Sequence, residues 1–182
     1  DQVLDYVKNL GQNERKVLRE LGVKFGRYHV FLHQLIKPEA VSLRTLLWKN
    51  YYQKHFNLKP PKFGLNFLND DKIKNKNFML LCGFEKFDNY YVRIDILERL
   101  FMQIINSNTD QEKEIKMKPE MLNLLGCNKN NFKKLLKSMN YKILEKENDI
   151  FFKYFPRKSF KKSNKKIINE SPFGVLKNLN LN

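Results

Sequence analysis

The chain has a single alanine, Ala40, only two cysteines, and no apolar run approaching the roughly 20 residues that a membrane-crossing helix needs. Cys82 and Cys127 cannot build a disulfide framework and suit a reducing compartment. The opening DQVLDYVKNL lacks the basic-then-apolar pattern of an export signal, so a cytoplasmic location without a membrane partner is expected. None of the seven glycines is followed by lysine. The phosphate cradle GxxxxGK[ST] is therefore missing, as is GxGxxG, and nucleotide chemistry has no home in this segment. No initiator methionine is present either. The chain enters at Asp1 on a helical pattern and is expected to be a piece of a longer protein.

What is abundant is positive charge. Thirty-five Lys+Arg face 19 Asp+Glu, a net of +16 with a pI near 9.8, which makes a polyanion the first partner to consider. The surplus is mostly lysine, 28 against 7 arginines, in a composition rich in Asn, Ile and Phe that reflects AT-rich coding; bulk charge is discounted accordingly. A hydrophobic content of 42% is enough for a packed core, and the pattern predicts an α+β fold that is mostly helical.

Residues 1–56 read as a helical region with short strands. Val17, Leu18 and Leu21 recur at helical spacing before Gly22, a C-terminal cap. Val23 to Leu32 is rich in β-branched and aromatic residues and turns at Gly26, as a strand pair would. Pro38 opens a helix carrying Val41, Leu43, Leu46, Leu47, Trp48, Tyr51 and Tyr52. Residues 57–77, with Pro60-Pro61 and a polar run, read as a connection. Residues 78–156 read as a β-hairpin, FMLLCGFEKF and YYVRI around Asp88-Asn89, followed by a winged-helix-like module.

In that module Asp95 is expected to cap a helix over 96–105 with Leu97, Leu100, Phe101, Ile104 and Ile105 inward. A helix from Pro119 to Gly126 and a second one capped by Asn128 follow, then strands 141–144 and 150–154. The expected core is Leu97, Leu100, Phe101, Leu125, Phe132, Leu135, Leu136 and Ile150. Residues 157–182 read as a disordered basic tail with a short apolar end, Phe173, Val175, Leu176 and Leu179, suited to docking on a partner.

Candidate catalytic residues do not assemble. His29 and His33 are four apart, a zinc spacing on a helix, but they sit in a strand-like stretch without the HExxH glutamate, so ordinary structural histidines are expected and no metal site. Capping and the helix dipole account for Asp95 and Glu98. The binding candidates are cationic. Lys129, Lys133, Lys134 and Lys137 form a stripe opposite an apolar helix face, and Arg157, Lys158, Lys161, Lys162, Lys165 and Lys166 crowd one decade of the tail. Ammonium groups in such arrays hold phosphates and carry little base code.

LGVKFGRYHVFLHQLIKPEAVSLRTLLW, residues 21–48, closely resembles a block that follows the motor of an alphaproteobacterial superfamily-two helicase family of the DEAD/DExH type. CGFEKFDNYYVRIDILERL (82–100) and KPEMLNLLGCNKNNFKKLLKSMNYK (118–142) resemble the next two blocks in the same order, and SPFGVLKNL resembles a terminal SPFxxL motif. These proteins are related to the RNA helicase of the mitochondrial RNA-degrading complex. The resemblance implies an ATP-dependent parent helicase acting on RNA, with ATP and magnesium in its motor and none here. It makes this chain a C-terminal nucleic-acid-binding accessory region, with its own motor domains and a nuclease as further partners. Two alternatives stay open: a stand-alone winged-helix DNA-binding regulator, and a protein-interaction scaffold docking on a helicase motor or nuclease. Because no phosphate-binding glycine loop exists in them, residues 1–182 alone should neither bind nor hydrolyse ATP, with no stoichiometric binding by calorimetry; a saturable isotherm would contradict this.

Overall fold

The computed structural model describes residues 6–53, 57–69, 75–107, 114–146 and 149–155. Helix α1 (Gln12–Glu20) leads through Gly22, at φ 91°, into the hairpin β1 (Val23–Phe25) and β2 (Val30–Leu32), and α2 (Pro38–Tyr52) follows a 3-10 turn. Strand β3 (Phe67–Asn69), helix α3 (Lys76–Leu81), β4 (Phe84–Phe87) and β5 (Tyr90–Arg93) come next. The chain then runs through α4 (Ile94–Ser107), β6 (Ile115–Lys116), α5 (Pro119–Leu125), α6 (Lys129–Ser138), β7 (Tyr141–Lys146) and β8 (Asp149–Tyr154). All strand pairs are antiparallel, in sheets ordered β1-β2, β3-β5-β4 and β6-β8-β7. The fold is α+β, and no helix among the described residues is long and apolar enough to cross a membrane.

Two apolar clusters share one strand. Tyr90 and Val92 of β5 join Leu97, Leu100, Phe101, Leu125, Phe132, Leu135, Leu136 and Phe152 in the larger core. Tyr91, pointing the opposite way by the period-two pleat, joins Val41, Phe78, Met79, Cys82 and Phe84 in the smaller. Every expected core residue is buried, Ile150 included. The signals that placed α5 and α6 hold: Gly126 takes φ 68° as the left-handed cap, and the Asn128 side chain accepts from Asn131 N–H at 2.8 Å.

Elsewhere the structure corrects the sequence reading. Phe78–Leu81 belong to a helix instead of a strand, because the Asn75 side chain accepts from Phe78 N–H at 2.9 Å and caps a turn that buries Phe78 and Met79. Strand β4 starts only at Phe84. Phe67–Asn69, inside the segment read as a connection, pair with Tyr90–Val92, and Ile115–Lys116 pair with Phe151–Phe152. Asp95 does not cap α4. It lies inside the first turn and takes a bidentate bond from Arg93, 2.7 Å and 3.0 Å. Ile105 is 42% exposed, since α4 offers its inner face to α5 through Leu97, Leu100, Phe101 and Ile104.

The Phe132 ring is wholly enclosed and meets Phe152 edge-on at 6.3 Å. Phe132→Ala should cost on the order of 3–5 kcal/mol in denaturant unfolding and open the module to proteolysis; unchanged stability would show that α6 does not carry the core.

Candidate nucleic-acid interface

Helix α6 sets Phe132, Leu135 and Leu136 inward, so its lysines face out by geometry. Lys129, Lys134 and Lys137 are exposed, and among the described residues no carboxylate stands within ion-pair distance of them. Lys133 is different. Its Nζ donates to Glu145 Oε1 on β7 at 2.7 Å, which, with a smaller contribution from Lys137, holds that carboxyl below its ordinary range. The stripe thus supplies three cations with no ion-pair partner among the described residues, and one that ties the helix to the hairpin. On the outer face of that hairpin Lys142 lies directly across from Lys153, and Lys146 reaches Glu114 at 2.6 Å while standing 5.7 Å from the Phe151 ring centre. Lys116 pairs with Asp149. Arg157, Lys158, Lys161, Lys162, Lys165 and Lys166, like the apolar end from Phe173 to Leu179, lie outside the described residues.

The most organised polar cluster is one that sequence reasoning passed over. Glu98, in the middle of α4, is buried, and its carboxylate accepts the backbone N–H groups of Arg27 (2.6 Å), Tyr28 (3.0 Å) and His29 (2.9 Å) at the β1–β2 turn. His29 stands between two carboxylates, Nδ1 3.0 Å from Glu98 and Nε2 3.3 Å from Glu85. Burial would lower its pKa, but hydrogen bonds to Glu85 and Glu98 outweigh that and push it up to about 9. The imidazolium in turn holds Glu85 down, and it joins the turn amides in holding Glu98 down against desolvation. Capping does not explain Glu98; it clasps the hairpin.

Gly26 makes the clasp possible by its size. A Cβ there would overlap the Glu98 carboxylate. Tyr28 packs on Phe101 with ring centres 4.3 Å apart, completing the seat.

Burial pushes the Cys82 thiol up to about 12 and the Cys127 thiol to about 11, so both are held in the thiol form at neutral pH. His33 is exposed, and among the described residues no group of His, Cys, Asp or Glu side chains is arranged to hold a metal ion, the His29–Glu85–Glu98 cluster included. No protein-family model, curated protein or solved structure matches this chain.

The clasp has a pH signature. Since His29 is held above its ordinary 6.5, its share of stability is complete below that value and is lost as the pH rises through about 9. Glu85 and Glu98, held below 4.5, contribute above that value and lose their share as the pH falls beneath it. Denaturant unfolding of the chain should therefore show stability declining from neutral pH through about 9, and His29→Gln should flatten the decline. Gly26→Ala should cost on the order of 1–3 kcal/mol by displacing the turn. A neutral Gly26→Ala, or an unaltered alkaline slope in His29→Gln, would contradict the assignment.

Proposed function

We propose that this chain is a nucleic-acid-binding accessory region of a longer ATP-dependent helicase acting on RNA, with α4 to β8 forming a winged helix whose second helix of the turn, α6, lies along phosphates. The observation that carries the binding role is the outward row Lys129, Lys134 and Lys137, three exposed cations on a helix locked from behind by Phe132, Leu135 and Leu136. A helix so fixed presents its charges without the entropy cost of ordering a loose segment. The winged-helix reading is supported by the order α4–β6–α5–α6–β7–β8 and by a sheet in which β8 lies between β6 and β7. The link to a helicase motor rests on the three ordered sequence blocks, and the basic tail would add sequence-indifferent phosphate contacts.

A second reading has one observation in its favour. The outer side of α2 exposes Leu43 (57%), Leu46 (55%), Leu47 (58%) and Tyr51 (81%), an apolar face suited to a protein partner such as the parent's motor. Salt dependence separates the two. Replacing Lys129, Lys134 and Lys137 by alanine in the full chain should weaken binding to unrelated RNA sequences alike and reduce the salt slope by about 2, at roughly 0.7 per phosphate contact on a single strand. Loss restricted to one sequence would point to base reading, and an unchanged slope would leave the scaffold reading.

A further inference from the structure

A groove of about 780 Å³ runs between the β1–β2 hairpin and the outer side of α4, and its rim carries Arg19, Lys24, Arg27 and Arg99. Three of the chain's seven arginines meet here, although lysine outnumbers arginine 28 to 7. Coding bias inflates lysine, so it does not explain a cluster of arginine. The acidic residues on the groove wall are already engaged: Asp95 by the Arg93 fork and Glu98 by the hairpin amides and His29. Among the described residues no carboxylate lies within ion-pair distance of Arg19, Lys24, Arg27 or Arg99, so among them the positive charge lining the groove has no anionic partner, and the Arg27 guanidinium rests 5.7 Å over the Tyr28 ring.

Its shape suits a nucleotide as well as its charge does. The volume falls in the range of ligand-binding clefts. Half-buried Phe25 and Phe31 line it from opposite faces of the two-stranded hairpin, Phe31 beside Lys24 and Phe25 beside Val30, and the Arg19 guanidinium covers the Phe25 ring at 5.3 Å, which leaves Phe31 as the open ring. Guanidinium planes grip phosphate oxygens two at a time and stack on bases, which a point-charge ammonium cannot do. Aromatic faces give the sequence-tolerant stacking that unpaired bases need, and duplex bases are not free to enter. The wall is held in place by the Glu98 clasp, and none of the groove's residues belongs to α6.

We infer that this groove is a second nucleic-acid subsite, built for single strands: Arg19, Arg27 and Arg99 hold the phosphates, and Phe31 receives a base. The inference rests on the nucleic-acid reading given above and names the strand state that reading lacks. In a helicase accessory region the arrangement divides labour, the groove taking the unpaired strand while α6 lies on phosphates elsewhere.

The test uses the full 182-residue chain, with an oligouridine RNA and a blunt RNA duplex as probes, titrated at about 50 and about 200 mM salt. Exchanging Arg19, Arg27 and Arg99 together for glutamine removes three contacts. Between those salts the parent chain should then lose about 20-fold more oligouridine affinity than the variant, with duplex binding unchanged. The same positions changed to lysine keep the charge and should keep the slope while losing the preference for oligouridine over duplex. Thermal melts guard against a folding defect, since all three side chains are exposed. An unchanged oligouridine slope in the glutamine variant, with the α6 lysine variant impaired, overturns the groove and leaves the proposed function standing. Equal loss of polyglutamate binding would make the groove a general polyanion site and also overturn it. A parent chain that binds neither RNA at low salt overturns both.

Discussion

A single buried carboxylate organises the N-terminal half of the site. Glu98 sits where water is largely excluded, and an isolated anion there would be costly. Three consecutive amides and an imidazolium satisfy it, all from a turn about 70 residues earlier in the chain. The dependence runs both ways. Strands β1 and β2 have three residues each, too few for a hairpin to persist alone in water, so the turn is ordered because Glu98 holds it. The groove wall, the seat of Tyr28 and the placement of Arg27 all inherit their positions from that one contact.

Strand β5 plays the corresponding part in the apolar interior. Buried on both faces, it gives Tyr90 and Val92 to one cluster and Tyr91 to the other. Glu85, one of the two carboxylates beside His29, lies on its neighbour β4 directly across from Val92. The polar clasp therefore stands at the edge of the strand that joins the two cores. A perturbation of β5 would reach His29 through Glu85, while one of α4 would reach it through Glu98.

The parts of this fold that were legible in the sequence are those whose signals are local. Helix α6 was readable because Asn128 caps it and Phe132, Leu135, Leu136 and Met139 keep a helical period; α5 was readable from Pro119 and Gly126. Phe78–Leu81 were misread because a short apolar run suits a buried helix and a buried strand equally, and Asn75 decides between them only through its cap. Strands β3 and β6, three and two residues long, have no period of their own and exist because β5 and β8 offer open ladder edges. Of the site, the lysine row on α6 was visible and the engagement of Lys133 by Glu145 was not. The clasp left one local trace, a glycine inside a strand-like stretch, which marked the turn at Gly26 but could not name a carboxylate on a helix far along the chain.

Lysine and arginine occupy different physical situations in this molecule, and the difference decides how its charge is read. The lysines of α6 sit on a helix face fixed by its own core, and two lysines of the β6-β8-β7 sheet are paired, Lys116 of β6 with Asp149 and Lys146 of β7 with Glu114. Exposed pairs of that kind contribute little to stability, and each removes a cation from the field a polyanion would meet. The arginines, few as they are, do what lysine does poorly. Arg93 forks onto Asp95, Arg15 reaches the carbonyls of Leu10 and Val7, and Arg19 lies on an aromatic ring. A net charge of +16 is therefore a weak guide to where an anion binds. The stronger guide is where positive charge stays uncompensated on a rigid support, and among the described residues two places satisfy that condition: the outer face of α6 and the arginine rim beside α4.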